Sequence, residues 1–310
     1  MTGGAPEAGM IDVVIVNWNS GGDLARCLAS LARNAGAGNV ARVIVVDNGS
    51  GDGSADVAGD ETLPLIVDRA GRNLGFAAAS NRGAAQGSAP YLLFLNPDTE
   101  IHDGALAAAL QAFGPGIGLV GLRLLDAAGR TQRSCSRFPT PLGFWLRALG
   151  LDRLSAFAAY APFMQDWPHE DSRLVDQLMG ACLLMPRDLF AALAGFDERF
   201  FLYYEDVDLA LRAFRHGSSS WFEARGTITH IGGSSSRRVS ARRLSLSLLS
   251  RLAYARKHFS AAGFLSVALC TLLVEPWTRL GFALFQHGPA AAGDVIAGYA
   301  MLLNPGSARP

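Results

Sequence analysis

Five carboxylates lie close together between residues 195 and 212, namely Asp197, Glu198, Glu205, Asp206 and Asp208. The last three open a helical pattern, and the positive end of a helix dipole stabilises acids in the first turn. Capping a helix is therefore one explanation. The other is a general base at the mouth of a cleft, because the aromatic run at residues 200–204 would form a partly dry wall that raises a carboxylate's pKa. Asp208 also stands four residues before Arg212, a spacing that favours an ion pair within the helix.

Polar residues also follow three apolar runs in the N-terminal half. The runs are continuous and rich in β-branched residues, which is typical of strands buried on both faces of a parallel sheet. They occupy residues 11–16, 40–46 and 91–95, and the polar residues after them are Asn17, Asp47 and Asp98. Turn chemistry would explain any one such residue. Because these sheets bind ligands at the carboxyl ends of their strands, the three together predict a site.

The chain lacks the glycine-rich sequences that usually hold phosphate groups. No G-x-G-x-x-G follows the first strand, and no G-x-x-x-x-G-K-[ST] occurs anywhere, so dinucleotide-binding and P-loop sites are disfavoured. A divalent cation on Asp98 would neutralise diphosphate oxygens instead, because hard cations take oxygen ligands. Arg72 and Arg82 flank residues 73–76 and are further candidates for phosphate contacts, with solvated surface charge as the alternative.

The order of the apolar runs predicts an α/β fold. A third strand is expected at residues 63–67, and helical patterns at residues 76–86 and 104–113 lie between or after strands. A first helix should run from Asp23 to a stop at Asn34 or Gly36. This alternation predicts a doubly wound, mostly parallel sheet. Later strands are expected at residues 179–185 and 221–229. A chain of 310 residues can hold one such domain and an appended segment.

Charge and cysteine content bear on whether the protein binds nucleic acid and whether it carries metal sites or disulfides. Lys and Arg together number 27, as do Asp and Glu, so net charge gives no argument for nucleic-acid binding. The cysteines show no metal or disulfide spacing, and we expect reduced, mostly buried thiols in a cytosolic protein. They are Cys27, Cys135, Cys182 and Cys270. Residues 1–9 lack the basic and apolar regions of a signal peptide and are expected to form a flexible tail.

The composition changes from Arg237 onward. Basic residues alternate with leucines as far as Lys257, which is typical of an interfacial helix attracted to anionic lipid. A solvated helix packed on the catalytic domain is the alternative. The apolar run at residues 261–274 is expected to stop at Glu275-Pro276, short of the roughly 20 residues that span a bilayer. Half of the whole chain is apolar, so we expect association with a membrane surface, with a span less favoured.

Short motifs recur in a fixed order across residues 10–235. They are Asn17-Trp18-Asn19-Ser20, Asp47-Asn48-Gly49-Ser50, Asn73-Leu74-Gly75-Phe76, Asn81-Arg82-Gly83, Asn96-Pro97-Asp98, Gly180-Ala181-Cys182, Gly195-Phe196-Asp197-Glu198, Glu205-Asp206-Val207-Asp208 and His230. Each is weak alone, but the ordered set resembles the family 2 glycosyltransferases of the GT-A fold, and most nearly their rhamnosyltransferase-like branch. Asn96 departs from the D-x-D motif of the wider family, although the Asn-Pro-Asp form is familiar in that branch. It lowers the negative charge offered to a cation.

The resemblance implies a site for a nucleotide-sugar donor. Asn17 and Trp18 would line the nucleobase pocket, and Asp47, with Asn48 beside it, would contact the nucleoside. The diphosphate side of the donor pocket would be formed by Asn73 to Phe76 together with Asn81 and Arg82, and Arg72 is the further cation that we expect there.

The resemblance also implies the catalytic groups. Asp98 would hold Mg²⁺ or Mn²⁺ at the metal-binding end of the motif that Asn96 begins. His230 would be a second metal ligand, although a histidine at a strand end is more often structural. Asp206 would be the general base. Glu205 remains the alternative, because neighbouring helical residues point about 100° apart and the sequence does not show which one faces the cleft.

These expectations define three regions after the tail. Residues 10–115 would bind the nucleotide sugar, residues 116–235 would carry the acceptor and catalytic side, and residues 236–310 would associate with the membrane. Within the second region, residues 135–172 mix aromatics with prolines and suit an acceptor-side segment, a lid or a lipid-facing loop.

The expected activity is inverting transfer of a sugar to a lipid-linked saccharide in bacterial cell-surface polysaccharide synthesis. The donor would be dTDP-rhamnose or another dTDP- or UDP-sugar, and the enzyme would work at the cytoplasmic face of the inner membrane. The alternative is a non-catalytic protein of the same fold that binds nucleotide sugars or glycans. An epimerase or dehydrogenase would need the missing dinucleotide fingerprint. The oligomeric state is left open.

Overall fold

The computed structural model describes residues 10–35, 39–57, 63–161, 163–164, 166–231 and 241–304. The expected tail at residues 1–9 lies outside these ranges, as do Gly36 and residues 235–238 around the expected domain boundary. Within the described part, the chain divides into two compact units. The sheet unit comprises residues 10–136, 167–198 and 205–231, and the helical unit comprises residues 137–166, 199–204 and 241–304.

The sheet unit is built on a mixed sheet of nine strands among the described residues. The strands are β1 (Ile11–Asn17), β2 (Val40–Asp47), β3 (Leu65–Arg69), β4 (Tyr91–Leu95), β5 (Thr99–Ile101), β6 (Ile117–Leu125), β8 (Arg173–Val175), β10 (Cys182–Pro186) and β11 (Ser219–His230). Their order is β3-β2-β1-β4-β10-β6-β11-β5, and β8 pairs with β11. β1 to β4 are parallel, while β10 runs antiparallel to both β4 and β6. The expected α/β fold with a mostly parallel sheet is confirmed.

The remaining elements of this unit flank the sheet in sequence. A two-stranded ribbon joins β7 (Cys135–Ser136) to β9 (Gln177–Leu178). The helices are α1 (Asp23–Ala35), α2 (Phe76–Ala84), α3 (Ala105–Gln111), α5 (Arg187–Ala192) and α6 (Glu205–Arg215). The expected bounds of α1, α2 and α3 agree with these to within a few residues, and α6 begins at Glu205 as expected.

The central strands form because their side chains are apolar on both faces. In β1, Ile11, Val13, Val14 and Ile15 are fully buried or nearly so. Asp12 interrupts this run and is fully buried, but Arg187 donates to its Oδ2 at 2.6 Å and so neutralises the charge. A buried carboxylate without such a partner would strongly destabilise the fold.

The sequence analysis missed the short strands β5, β7, β8 and β9 and also the longer strand β6. Its sequence, IGLVGLRLL, contains two glycines, which weaken the apolar pattern of a strand. Packing explains Gly121, because a Cβ there would come within 2.8 Å of the Leu178 side chain. The glycine therefore allows β9 to approach the sheet.

The helical unit contains α4 (Pro141–Ala148), two short 3-10 helices (Leu151–Arg153 and Ser155–Tyr160), α7 (Ala241–His258), α8 (Ala261–Leu269), α9 (Glu275–His287) and α10 (Pro289–Leu303). A π-helical turn, Cys270–Val274, connects α8 to α9. The expected stop at Glu275-Pro276 is wrong, because Pro276 lies in the first turn of α9 and the helical path continues through it. Among the described residues, Ala261–His287 is the one helix long and apolar enough to cross a membrane, judged by length and composition only.

The four cysteines are all free and buried, as expected. Burial raises the pKa of Cys27 and of Cys182 to about 12. Their thiols therefore stay protonated and unreactive near neutral pH.

Candidate active site

Strand register brings Asp98 and His230 together. β5 and β11 pair antiparallel with Thr99 opposite His230, and the backbone N–H of Ile231 donates to the carbonyl of Asp98 at 3.0 Å. Nε2 of His230 lies 3.5 Å from Oδ1 of Asp98. Two residues separated by 132 positions in the sequence thus form one side-chain pair at the end of the sheet.

Gln132 fixes the orientation of the His230 ring. Its amide nitrogen donates to the His230 carbonyl at 2.8 Å, so its Oε1 is the atom that faces Nδ1 of the ring at 3.1 Å. An amide oxygen only accepts hydrogen bonds, so Nδ1 carries the proton. In the neutral ring, Nε2 then presents a lone pair toward the Asp98 carboxylate. A lone pair facing a carboxylate is unfavourable alone but suits two ligands of one cation.

Asn96 precedes this pair at the end of β4. Its backbone N–H donates to the carbonyl of Ala181 at 2.9 Å, and the hydroxyl of Thr99 donates to its carbonyl at 2.7 Å. The side-chain amide has no hydrogen-bond partner within the described ranges. The backbone of this turn is therefore held in place, while the amide remains available to a ligand.

Asp206 contacts Gly180, the residue that precedes Ala181. Its Oδ2 accepts hydrogen bonds from the Gly180 N–H at 3.0 Å and from the side-chain amide of Gln177 at 2.9 Å. Because Gly180 directly precedes Ala181, which binds Asn96, short backbone connections link Asp206 to the Asn-Pro-Asp turn. Burial raises the pKa of Asp206, and these hydrogen bonds limit the rise.

Glu205 and Asp208 differ from Asp206 in their surroundings. Glu205 is buried, and its Oε2 has no hydrogen-bond partner within the described ranges. Burial, together with the negative charge of Asp206, holds the pKa of Glu205 well above its usual range. Asp208 is fully buried and pairs with Arg212 at 2.7 Å, as its spacing predicted. Asp206 is thus the acid in this turn that is both hydrogen-bonded as a carboxylate and partly accessible.

Asn48 joins the loops that follow β2 and β3. Its amide nitrogen donates to Oδ1 of Asn73 at 3.1 Å, and its oxygen accepts from the N–H of Leu74 at 2.7 Å. Gly49 has a φ of +78° and packs so closely that a Cβ would lie 2.8 Å from the backbone of Arg72. These contacts fix the shape of the predicted donor pocket.

Asn17 and Asp47 support the same loop from the adjacent strand ends. Asn17 is fully buried and donates to Oγ of Ser54 at 2.9 Å, while Asp47 accepts from the N–H of Ser50 at 3.2 Å. Trp18 is 46% exposed beside them, so its ring is accessible to a ligand. The strand register pairs Asn17 with Asp47, as expected for one binding edge.

The two predicted arginines are in different situations. Arg82 forms a bidentate pair with Asp68, with both N–O distances at 2.6 Å. Arg72 is exposed and has no ion pair within the described ranges, so its charge is available to an anion.

Asn81 holds the Gly-Phe-Asp-Glu segment, since it accepts from the Phe196 N–H at 2.9 Å and donates to the Phe196 carbonyl at 2.9 Å.

Sequence reasoning missed Gln132 and Gln177. Each positions a predicted catalytic side chain, but each is a single glutamine outside the motif set. Gln177 stands three residues before Gly180, and this proximity was the one available signal. For Gln132 no sequence pattern indicated a role.

Comparison with known proteins now places this geometry in a family. The family model described as glycosyl transferase family 2 matches residues 12–126. The N-acetylglucosaminyl-diphospho-decaprenol L-rhamnosyltransferase of two Mycobacterium tuberculosis strains is 31% identical over 238 residues, covering 71% of this chain and 76% of the relative. The chain belongs to glycosyltransferase family 2. This family 2 glycosyltransferase is also 24% identical over 210 residues to the low-salt glycan biosynthesis hexosyltransferase Agl10 of Haloferax volcanii, covering 66% of this chain and 62% of Agl10.

Solved structures support the fold of this glycosyltransferase. The mannosyltransferase PcManGT from Pyrobaculum calidifontis, in complex with GDP-Man and Mn²⁺, has a TM-score of 0.55 and 16% identity, covering 94% of this chain and 80% of that one. TarS 1–349 from S. aureus, in complex with UDP-GlcNAc, has a TM-score of 0.52 and 15% identity, covering 97% and 92%. The expected GT-A fold and glycosyltransferase class are confirmed.

Proposed function

We propose that this glycosyltransferase moves L-rhamnose from dTDP-rhamnose to a lipid-linked saccharide, with inversion at the transferred carbon. The observation that carries the donor and acceptor is the similarity to the mycobacterial L-rhamnosyltransferase, whose name specifies a diphospho-decaprenol acceptor. The expected place of this reaction is bacterial cell-surface polysaccharide synthesis.

Asp98 and His230 are the residues that would hold a divalent cation, Mg²⁺ or Mn²⁺. Their fit rests on the Nε2 lone pair that Gln132 directs toward the Asp98 carboxylate. Among the described residues there is no group of three or more His, Cys, Asp or Glu side chains that could hold a metal. Such cations commonly complete their coordination with substrate phosphates and water. The bound cation would supply Lewis-acid stabilisation of the leaving diphosphate.

Asp206 would take the proton from the attacking hydroxyl of the acceptor. Its Oδ2 already accepts two hydrogen bonds, whereas Oδ1 accepts one from the N–H of Val207. Oδ1 therefore has the more available lone pair. One positioned base and attack from the face opposite the leaving group give inversion, and a base of this kind contributes about 10²–10⁴-fold in rate.

The donor would lie along the carboxyl ends of β1 and β2. The exposed ring of Trp18 offers a surface on which a nucleobase can stack, and Asp47 and Asn48 lie at the adjoining strand end. The unpaired guanidinium of Arg72 suits the diphosphate, because arginine binds phosphate oxygens in a bidentate manner.

A membrane surface is the proposed location, at the cytoplasmic face. Several large apolar side chains of the helical unit are exposed to solvent, among them Leu273, Trp277 and Phe285. Basic residues lie on α7 of the same unit. Apolar surface with nearby positive charge is typical of proteins that bind anionic membranes peripherally or monotopically.

A non-catalytic nucleotide-sugar or glycan binder is the second candidate, favoured by one observation. Asn96 stands where the wider family has an acid, so the turn carries one negative charge fewer for a cation. A binder of this kind would retain the donor site without turning over the donor.

Measuring transfer and donor hydrolysis by the wild type and by Asp206→Asn separates the two candidates. We expect the variant to lose about 10²–10⁴-fold in kcat while still binding dTDP-sugars. Asp188→Asn is the matched control, because this exposed acid hydrogen-bonds, among the described residues, only the adjacent backbone N–H of Leu189. Equal kcat for wild type and Asp206→Asn would reject Asp206 as the base. Absence of any turnover by the wild type across dTDP- and UDP-sugars would favour the binder.

A further inference from the structure

A cavity of about 1040 Å³ lies within the helical unit. Its wall is formed by the end of α4 and the turn after it, and by residues of α9 and α10. A volume of this size is typical of sites for small organic ligands. None of the residues that line it has a part in the catalytic proposal.

Arg279 and Glu275 form the charged floor of this cavity. Nε of Arg279 lies 2.7 Å from Oε1 of Glu275, and the guanidinium of Arg251 binds the other oxygen, Oε2. Arg251 and Glu275 are both buried. One carboxylate is therefore shared by two guanidinium groups, which leaves an excess of positive charge beside the cavity.

Arg147 adds another cation to the cavity. It lines the wall, and its side chain makes no hydrogen bond or ion pair with any residue of the described ranges. The side chain of Arg147 is exposed to this open cavity. Because a guanidinium stays protonated in proteins, an anion in the cavity can contact it directly.

Arg153 gives the cavity a second available guanidinium. Its Cζ lies 5.1 Å from the centre of the Phe282 ring, and it has no ion pair within the described ranges. Two acids, Asp152 and Asp294, also line the wall and offset the charges of Arg147 and Arg153 in number. With Arg251 included, the whole set still carries one more positive than negative charge.

Apolar side chains form part of the remaining wall, beside Thr278, Gln286 and His287, and the same unit also has an exposed apolar surface. Phe163, Phe282 and Val295 line the cavity together with several alanines. On the continuous helix Ala261–His287, the exposed residues Leu265, Leu269, Leu273 and Trp277 recur at intervals of four and so lie along one side. Arginines next to apolar walls match a ligand that has both a phosphate and a hydrocarbon chain.

We propose that this cavity binds the phosphate-bearing headgroup of a lipid, with the phosphate or diphosphate at Arg147 and Arg153 and the start of the chain against Phe163, Phe282 and Val295. The chemistry is shared by a polyprenyl diphosphate and by an anionic phospholipid. The choice of a polyprenyl diphosphate as the ligand rests on the proposed function.

Vesicle flotation of the full chain tests this proposal. Three vesicle types are compared: phosphatidylcholine alone, phosphatidylcholine with a polyprenyl diphosphate, and phosphatidylcholine with phosphatidylglycerol at equal surface charge. Arg147→Gln removes the unpaired cavity cation, and Arg153→Gln is the second cavity variant should the first fail to fold. Arg256→Gln is the matched control, because Arg256 is exposed in the last turn of α7 and does not line the cavity.

The expected result is that Arg147→Gln loses about tenfold in binding to the diphosphate vesicles, through loss of charge-assisted hydrogen bonds. Arg256→Gln should weaken binding to both anionic vesicle types slightly and equally. A larger loss for Arg147→Gln on both anionic vesicle types also supports the cavity and identifies the ligand as a bulk phospholipid headgroup. Equal binding by Arg147→Gln and Arg256→Gln on every vesicle type would overturn the proposal.

Donor hydrolysis in the absence of acceptor separates this inference from the proposed function. Arg147→Gln should hydrolyse dTDP-rhamnose at the wild-type rate, since Arg147 has no part in the donor site. A wild type that discriminates between vesicles but hydrolyses no donor supports the lipid site and contradicts the proposed function. A wild type that hydrolyses donor but shows no difference between Arg147→Gln and Arg256→Gln contradicts the lipid site alone.

Discussion

Nε2 of His230 lies 3.5 Å from Oδ1 of Asp98, and the opposite ring nitrogen is held by Gln132. The register of β5 against β11 creates this pair, with Thr99 opposite His230. The proposed cation site thus depends on a hydrogen bond that orients one ligand. Groups that orient metal ligands in this way commonly change metal affinity 10–100-fold when removed.

Gln132→Ala should therefore weaken Mn²⁺ binding by about tenfold, measured by calorimetry in the presence of a nucleoside diphosphate. The ring of His230 would be free to turn, and Nε2 would no longer be directed at Asp98. Gln111→Ala, at the exposed end of α3, is the control. Unchanged Mn²⁺ affinity in Gln132→Ala would show that His230 is not a ligand oriented by this residue.

The pH dependence of kcat should report the surroundings of Asp206. Burial raises its pKa, so the acid limb of the profile should lie above the ordinary value of 3.8. Gln177→Ala removes a hydrogen bond that stabilises the ionised form, so the limb should move to higher pH. Gln177→Asn, which keeps an amide, should restore part of the shift. A limb that stays at the wild-type position in Gln177→Ala would argue against Asp206 as the titrating base.

Arg72 and Arg82 form a matched pair of substitutions. Arg72→Ala should raise the KM for the donor by about tenfold with little change in kcat, because an unpaired guanidinium that binds the diphosphate is lost. Arg82→Ala should leave the donor KM nearly unchanged, since Asp68 already holds that side chain. Steady-state kinetics with varied donor would decide, and equal KM values for both variants would remove Arg72 from the donor site.

Glu223 should make the free energy of unfolding depend on pH. Burial opposes its ionisation, but hydrogen bonds from Arg225, Trp221 and Ser172 outweigh burial and lower its pKa from 4.5 to about 2. Its contribution to stability is therefore complete above pH 4.5 and is lost as the pH falls toward 2. Glu223→Gln should lower the urea midpoint at neutral pH, and the difference from wild type should shrink below pH 4.5. A constant difference across this range would contradict the assignment.

The strand ends that form the proposed donor side could be predicted from the sequence, because buried strands and the polar residues after them leave a strong local pattern. Asn17, Asp47 and Asp98 lie at strand ends as that pattern predicted. Gln132 could not be found this way, since its role depends on a contact 98 residues away.

Two elements were missed for different reasons, namely strand β6 and the helix that runs through Pro276. The two glycines of β6 weaken its strand pattern in the sequence. Gly121 is needed there because a larger side chain would collide with Leu178. The helix through Pro276 was missed because a proline was taken as a stop, whereas the first turn of α9 tolerates it. In β6 a tertiary contact overrides the local signal, whereas in α9 the position of the proline within the helix decides.

Strand β10 is antiparallel to both of its neighbours, β4 and β6. The segment that contacts Asp206, residues 177–180, therefore precedes this strand instead of following it. The contacts of Asp206 with Gln177 and Gly180 and the pairing of Asp98 with His230 therefore come from different connections of the sheet. Gln177→Ala should therefore slow transfer while Mn²⁺ affinity stays constant, because Gln177 contacts Asp206. Transfer kinetics beside metal titration would reveal whether the proposed base and the proposed cation site separate in this way.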